Sequence, residues 1–445
     1  MKNLFIIIQI LIIITLKLLI ILKTELTEDE AYYYTWAKKI SLSYFDHPPF
    51  VAYVIKIGTS ILGENELGVR IPALVLSLLF LIIIIFIFKE IDSSKILIAL
   101  YIFSLTLIFA VGAIIITPDT PMAFFILLTF FFLLKSYKNE RWLYFSSITY
   151  GLSLLSKYIS ILFLPSIILF FFERKKLFSK KFVIFLLISL LIFSPCIIWN
   201  IQNDFISFKF QLLHGYGKKE LKFLNIILYL VDSLLVLSFP LSILIYFYAF
   251  KGIIKEKINL LTFSFLFPFT FFMISSLKTK AEANWPLVSY IFLLILAIKH
   301  LKENKIFYIL SSITFIMMTI IHLHTITPII KFKKDPTNRL RSWEKLANDV
   351  EWFAERYGIN KFSANTYQIA SILSFYLKDK PYVYSLNINS RENQFTIWQK
   401  NKKLPDTLFY VGKVNENFYK IFKEIKKVGV SKSELREFEF YILLK

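Results

Sequence analysis

LFIIIQILIIITLKLLIIL, residues 4–22, is an apolar run interrupted only by a glutamine, a threonine and a lysine. A helix that crosses the bilayer needs about 20 apolar residues, so this run predicts a membrane span. The exit from the run, ILKTEL, contains no small-residue cleavage site. We therefore predict an uncleaved membrane anchor rather than a signal peptide.

Similar apolar runs recur over the first 330 residues and predict an α-helical polytopic membrane protein with about eleven transmembrane helices. Three runs are short, and they fit only inside a bundle or where the bilayer is locally thin. The predicted spans are 4–22, 71–88, 95–116, 120–134, 142–156, 158–172, 182–199, 224–250, 259–277, 285–299 and 306–325.

The composition excludes two broad classes of protein. Hydrophobic residues make up 56% of the 445 residues and charged residues 19%, whereas soluble globular chains have roughly 45–50% and about 25%. An ordinary soluble enzyme and a disordered protein are therefore excluded. Gly-rich nucleotide loops are absent from the sequence, and the single cysteine, Cys196, excludes an internal disulfide.

The distribution of charge predicts the orientation in the membrane. The net charge is +21, and the short loops on one predicted side hold most of the excess Lys and Arg, above all ERKKLFSKK at 173–181. The positive-inside rule then places the N-terminus in the cytoplasm and residues 331–445 outside. Because topology explains these basic loops, we predict no nucleic-acid partner.

The C-terminal part has a different pattern from the rest of the chain. Residues 331–445 contain no spanning run and alternate short strand-like and helix-like segments. We predict a small soluble α/β domain there, beside a transmembrane domain over 1–330. The predicted strands are 361–365, 382–386, 408–411 and 438–443, and the predicted helices are 343–357 and 367–377.

The chemically distinctive residues fall on the predicted outer face. A transporter would tend instead to place polar groups near the bilayer midplane, in broken helices. The outer clusters are TEDEAYYY at 27–34, YFDHPPF at 44–50, TPDTP at 117–121, SKY at 156–158, WNIQND at 199–204, LLHGY at 212–216 and KAEANWP at 280–286.

The long first outer loop, residues 24–70, predicts two helices lying on the membrane surface. Aromatic residues at 32–36 suit the headgroup layer, and Val51–Leu62 is apolar but too short to span. Asp29 and Glu30 stand at the start of the first helix, where helix capping is an alternative to catalysis. For Asp46 and His47 the alternative is turn chemistry.

Asp119 and Lys157 are predicted at the same membrane level as these acids. Ionisable groups so close to hydrocarbon are costly and usually functional. For Asp119 the alternative is a helix N-cap, and for Lys157 it is a structural ion pair or snorkelling to the interface. Carboxylates, a histidine and a lysine at this face suit group transfer from a lipid phosphate, with a carboxylate as general base and the lysine or a metal on the phosphate.

The chain resembles the polytopic GT-C glycosyltransferases over about residues 1–330. More narrowly, it is similar to the bacterial branch that contains aminoarabinose transferases, galacturonosyltransferases and protein mannosyltransferase-like proteins. The resemblance rests on the order of seven motifs: DEAYYYTWA, YFDHPP, ITPDTP, GLSLLSKY, PCIIWN, QLLHG and EANWP.

This resemblance implies an inverting transfer from a polyprenyl-phosphate sugar to a hydroxyl of a glycolipid, polysaccharide or protein at the outer face of the plasma membrane. It implies Asp29 as general base with Glu30 beside it, Asp119 as the second acid and Lys157 near the donor phosphate. We also expect a group of substrate-binding residues: Tyr33, Asp46, His47, Asn200, Glu282, Asn284 and Trp285.

A divalent metal ion is the one cofactor that remains open. Asp46 with His47 or His214 is one candidate site, since His214 matches a position that helps to hold a metal in some relatives. Relatives with aminoarabinose activity carry Glu-Lys where this chain has Asp46-His47, so sugar and metal stay undecided. His322 and His324 are an alternative pair. The rival functions are a lipid-linked sugar or polysaccharide transporter and a non-catalytic membrane scaffold.

Overall fold

The computed structural model describes residues 2–216, 221–330, 332, 334–388 and 391–445, and no side chain of residues 214–216 belongs to the description. The predicted class is confirmed: a helical membrane protein with a small C-terminal sheet. The helices before residue 330 are α1 Lys2–Lys23, α2 Glu28–Ala37, α3 Phe50–Leu62, α4 Glu66–Ile91, α5 Ile96–Leu105, α6 Leu107–Gly112, α7 Asp119–Lys135, α8 Trp142–Ser156, α9 Leu164–Glu173, α10 Lys180–Gln202, α11 Ile206–Tyr216, α12 Leu224–Val236, α13 Leu241–Glu256, α14 Leu260–Ser276, α15 Leu287–His300 and α16 Lys305–Ile326.

Not all of the eleven predicted spans are single full-length helices. Within the described residues, four helices are long and apolar enough to cross a bilayer, namely α1, α4, α10 and α16. The pair α12 and α13, bent by 107°, would be a fifth. The other predicted spans correspond to shorter helices, because apolar content does not reveal where a helix breaks.

Two of the predicted spans break, and the breaks meet in space. The predicted span 95–116 separates into α5 and α6 at Thr106, and the predicted span 224–250 separates into α12 and α13 around Ser238, whose φ is 65°. The Ser238 hydroxyl accepts a hydrogen bond from the Leu107 amide at 2.8 Å and donates one to the Leu105 carbonyl at 2.9 Å. One side chain therefore satisfies backbone groups that the interrupted helix leaves without a partner.

The membrane core is centred on α15, whose residues 287–298 are all buried. Helices α13, α14 and α7 pack around it. Elsewhere α8 and α10 approach so closely at Gly151 that a Cβ there would lie 2.6 Å from Cβ of Ile192. Small residues at helix interfaces are how membrane helices achieve such contact.

The first outer loop forms the two predicted surface helices, α2 and α3. A capping box begins α2, in which the Thr27 hydroxyl accepts from the Glu30 amide and the Glu30 carboxylate accepts from the Thr27 amide. Trp36 stacks on Tyr44 with ring centroids 4.3 Å apart and an interplanar angle of 14°. The aromatic run thus folds into a buried layer instead of facing the headgroups.

Residues after 340 form an α/β unit with a five-stranded sheet in the order β2-β1-β3-β5-β4. The strand β1 is parallel to β2 and β3, and β5 is antiparallel to β3 and β4. The four predicted strands and two predicted helices are confirmed within a few residues. The elements are α17 Trp343–Arg356, β1 Phe362–Ala364, α18 Tyr367–Tyr376, β2 Val383–Ser385, α19 Gln394–Gln399, β3 Thr407–Val411, β4 Glu424–Lys432 and β5 Glu437–Leu444.

This C-terminal unit shares a hydrophobic core with the first outer loop. One cluster of buried residues includes Tyr34 and Trp36 of α2 together with Trp343 and residues of α18 and the sheet. The Leu26 amide donates to the Tyr376 hydroxyl at 2.7 Å. The C-terminal unit, predicted to be separate, is therefore packed on the segment that carries the candidate catalytic residues.

Candidate active site

The capped start of α2 points its two predicted catalytic acids in different directions. Asp29 has a side chain 41% exposed and pairs with Arg339, Nη2 to Oδ2, at 2.7 Å. Glu30 is fully buried and forms a two-bonded ion pair with Arg70 of α4, at 2.8 Å for both hydrogen bonds. Its Oε1 also accepts from the Ile116 amide at 3.3 Å.

Glu30 therefore has the geometry of a structural residue. Its carboxylate is already shared among the α2 cap, Arg70 and the backbone before α7, and it lines none of the cavities described below. An acid with saturated oxygens and no path to the cavity does not meet the geometric requirement of a general base. Of the predicted pair, only Asp29 faces the cavities.

Asp119 and Lys157 form the second group. Asp119 is the first residue of α7, and Lys157 follows α8 in an extended conformation with φ −156°. The Lys157 ammonium donates to both Asp119 oxygens at 2.7 and 2.8 Å, and the Asn284 amide donates to Oδ2 at 2.9 Å. The side chains of Lys157 and Asp119 are 6% and 14% exposed. The ion pair named above as the alternative for Lys157 is thus present.

Asp46 is the third acid, and its partners come from distant parts of the chain. The Tyr32 hydroxyl donates to Oδ2 at 2.6 Å, and Arg391 donates from Nη1 to Oδ1 at 2.8 Å. Gln211 donates to the Asp46 carbonyl at 2.6 Å. Burial raises the pKa of Asp46, while the nearby charge of Arg391 opposes that rise.

Tyr33 lies between these acids. Its ring contacts Trp36, with centroids 5.0 Å apart. Burial and the negative charges of Asp29, Asp46 and Asp119 raise the pKa of Tyr33 well above its ordinary value. The hydroxyl therefore stays protonated and available as a hydrogen-bond donor among three carboxylates.

Two cavities meet at these residues. The larger cavity has a volume of about 720 Å³ and the smaller about 390 Å³. Both have mostly apolar walls. The larger is lined by Leu and Ile side chains and by Phe193, Phe208, Phe271 and Phe272, whereas the smaller extends between helices to Lys17 of α1. The residues lining both are Asp29, Thr117, Asp119, Glu282 and Asn284.

Most of the predicted site residues line the larger cavity, including Tyr33, Asp46, His47 and Trp285. Asn200 does not line either cavity: it is buried, its amide donates to the Cys196 carbonyl at 2.9 Å, and its oxygen accepts from the Phe208 amide at 3.3 Å. These bonds stabilise the junction of α10 and α11, so a substrate-binding role for Asn200 has no geometric support.

The predicted histidines other than His47 fall in two situations. His214 lies outside the described side chains. His322 and His324 line a third cavity of about 540 Å³, where His324 pairs with Asp335 through Nε2 at 2.8 Å. No group of three or more His, Cys, Asp and Glu residues suited to a metal occurs in the described part of the chain.

Arg391 and Arg339 are site residues that the sequence analysis did not find. Both lie beyond residue 330, and both reach acids of the first outer loop. Arg391 lines the larger cavity and Arg339 the smaller. Neither belongs to a motif, and only the packing of the C-terminal unit on α2 brings them to the site.

Comparisons with known proteins show which sequences and folds the chain is similar to. Residues 46–199 match the family model described as dolichyl-phosphate-mannose-protein mannosyltransferase. A protein of Aquifex aeolicus (strain VF5), described as uncharacterized, is 27% identical over 263 residues, which are 57% of this chain and 48% of that protein. The chain thus aligns with about half the length of that relative.

Solved structures share the fold over nearly the whole chain. ArnT from Cupriavidus metallidurans bound to undecaprenyl phosphate has a TM-score of 0.69 at 12% identity, covering 99% of this chain and 98% of ArnT. Its apo form gives 0.66 at 10% identity, covering 98% and 97%. AglB from Archaeoglobus fulgidus, in complex with an inhibitory peptide and a dolichol-phosphate, gives 0.55 at 12% identity, covering 86% of this chain and 64% of AglB. The chain therefore shares the fold of ArnT, and its residues 46–199 are similar to the mannosyltransferase family model, in line with the resemblance of its motifs.

Proposed function

We propose that this protein transfers a sugar from a polyprenyl-phosphate carrier to a hydroxyl acceptor at the outer face of the plasma membrane. The observation that carries the proposal is the meeting of two apolar cavities at Asp29, Asp119 and Asn284, with Lys157 on the wall of the larger one. The bound undecaprenyl phosphate of ArnT and the dolichol-phosphate of AglB support a lipid carrier of this class.

The larger cavity suits the donor. Its apolar walls would hold the first prenyl units, and Lys157 would bind the phosphate. Two hydrogen bonds of the Lys157 ammonium go to Asp119, and an ammonium has three donors. The third N–H is the one we assign to the phosphate, so that the ion pair orients the lysine without being broken.

Asp29 is the residue we propose as general base. The acceptor hydroxyl would enter by the smaller cavity and lose its proton to Oδ1 of Asp29, since Arg339 bonds to Oδ2. The acceptor oxygen would then bond to the anomeric carbon of the sugar as the bond from that carbon to the phosphate oxygen breaks. The polyprenyl phosphate departs with the bonding electrons and gains one negative charge, which Lys157 stabilises.

This scheme is a single displacement and inverts the anomeric centre. In the proposed orientation the acids lie outside, the N-terminus lies in the cytoplasm, and residues 331–445 lie beside the outer leaflet. The basic short loops support this orientation through the positive-inside rule. Tyr33, His47, Glu282 and Trp285 would contact the sugar. The sugar donor and acceptor would be bound at once, one in each cavity.

The test is transfer by the purified full chain in liposomes. A radiolabelled undecaprenyl-phosphate sugar is supplied together with a membrane extract as acceptor, and label is followed into glycolipid, polysaccharide and protein fractions. Asp29→Asn should abolish most transfer, whereas the exposed Asp406→Asn should not. Label that crosses the bilayer still attached to its carrier, with no product in any fraction, would refute transfer and support a transporter.

A further inference from the structure

Four acids line the larger cavity, and three of them, Asp29, Asp46 and Asp119, are each paired with a cation. Lys157, which belongs to the transmembrane part, forms the ion pair with Asp119. The partners of Asp29 and Asp46 both come from residues 331–445. The membrane part alone would thus present four carboxylates, Glu282 included, and a single lysine around the space that we assign to an anionic donor.

Several contacts hold the Arg391 side chain in place at Asp46. The Arg391 guanidinium donates from Nη1 to Asp46 at 2.8 Å and from Nη2 to the Tyr367 hydroxyl at 2.7 Å. Its carbon Cζ lies 5.1 Å from the ring centroids of both Phe210 and Tyr367. A guanidinium held by two hydrogen bonds and two aromatic faces is well oriented, since Arg suits such planar stacking. The side chain is 44% exposed, and it lines the larger cavity.

A divalent ion does not fit Asp46 as these residues stand. Each of the two carboxylate oxygens accepts a hydrogen bond, one from Tyr32 and one from Arg391. A metal on the remaining lone pairs of Asp46 would lie beside the Arg391 guanidinium and face its positive charge. Arg391 therefore already supplies the positive charge at Asp46 for which a divalent metal ion was one candidate.

We propose that residues 331–445 complete the donor cavity electrostatically, with Arg391 on Asp46 in place of a divalent cation. This inference rests on the proposed function, because it assumes an anionic lipid phosphate in the larger cavity. Arg391 is a positioning residue: it holds Asp46 and neutralises it, so that the phosphate does not meet a bare carboxylate. Arg339 has the same relation to Asp29.

The size of the effect follows from Coulomb's law. At an effective dielectric constant of about 20, an unpaired charge roughly 12 Å from the phosphate weakens binding by about tenfold. Arg391→Gln should therefore weaken binding of the donor by at least about tenfold. The double variant Asp46→Asn with Arg391→Gln removes both charges and should return the affinity to within about threefold of wild type.

The experiment measures binding of undecaprenyl phosphate, without sugar or acceptor, to the full chain in nanodiscs. Arg356→Gln is the matched control, since Arg356 is exposed on α17 and contacts only Trp352 among the ring contacts described. Binding to wild-type protein is also measured after EDTA treatment, with metal content determined by mass spectrometry. We expect no change with EDTA and no stoichiometric metal.

Three outcomes are decisive. No binding to wild type overturns the proposed function itself. Equal binding by wild type and Arg391→Gln, or a double variant as weak as the single one, overturns the role of Arg391 and leaves the proposed function in place. A bound metal whose removal abolishes binding overturns the substitution of Arg391 for a cation.

Discussion

Replacement of Lys157 by methionine separates the structural role of this lysine from the proposed phosphate role. Lys157→Met keeps an unbranched chain of similar length but removes the charge. Among the described residues, Asp119 would be left largely buried with only the hydrogen bond from Asn284. Removing one partner of a buried ion pair destabilises by roughly 3–5 kcal/mol, and the 14% exposure of Asp119 suggests the lower part of that range.

Neutralising both partners should recover most of this loss. In Lys157→Met with Asp119→Asn, no unpaired charge is left, so thermal unfolding in nanodiscs should return close to wild type. Binding of undecaprenyl phosphate should stay weak, because the third ammonium donor is missing in both variants. The exposed Lys423→Met is the control for the loss of a lysine.

The affinity of the double variant for undecaprenyl phosphate decides between the two roles of Lys157. If it binds undecaprenyl phosphate as tightly as wild type while its stability is restored, Lys157 is only the counter-ion of Asp119. If stability is not restored, the ion pair is not what makes the single variant unstable.

Three further predictions concern residues of the first outer loop and α4. Asp29→Asn should lower kcat by about 10²–10⁴-fold with donor affinity within a few-fold of wild type; activity close to that of Asp406→Asn would exclude Asp29 as the base. Arg70→Gln should destabilise the protein by roughly 3–5 kcal/mol, since it leaves Glu30 buried without its partner, and a protein that melts like wild type would contradict this. Burial lowers the pKa of Lys39 to about 8 from an ordinary 10.5, so the unfolded state binds this proton more tightly than the folded state. The free energy of unfolding should therefore rise with pH between those two values. In urea unfolding, Lys39→Met should remove the part of this rise that Lys39 contributes.

The sequence predicted the residues of the site better than their partners. Asp29, Asp119, Lys157 and Asn284 lie in local motifs, and all four line the larger cavity. Arg391 could not be predicted from the sequence, because it lies 345 residues from Asp46 along the chain and belongs to no recognisable motif.

Three other differences between prediction and structure have separate physical causes. Glu30 was grouped with Asp29 because they are adjacent, yet neighbouring residues on a helix point about 100° apart. The strand β4 was not predicted, because it is largely exposed and carries several lysines. Without a buried face, its sequence lacks the alternation of apolar and polar residues that identifies a strand. The break between α5 and α6 depends on Ser238, which lies 131 residues from Leu107 along the chain.

The two cavities that share Asp29 and Asp119 also have a consequence for the kinetics of the proposed catalytic cycle. Because each substrate would have its own passage to the acids, neither must leave before the other enters. Initial-rate kinetics should accordingly give intersecting rather than parallel double-reciprocal lines. The spent carrier could then exit and be recycled while the glycosylated product is still bound, so that turnover is limited by whichever passage empties more slowly.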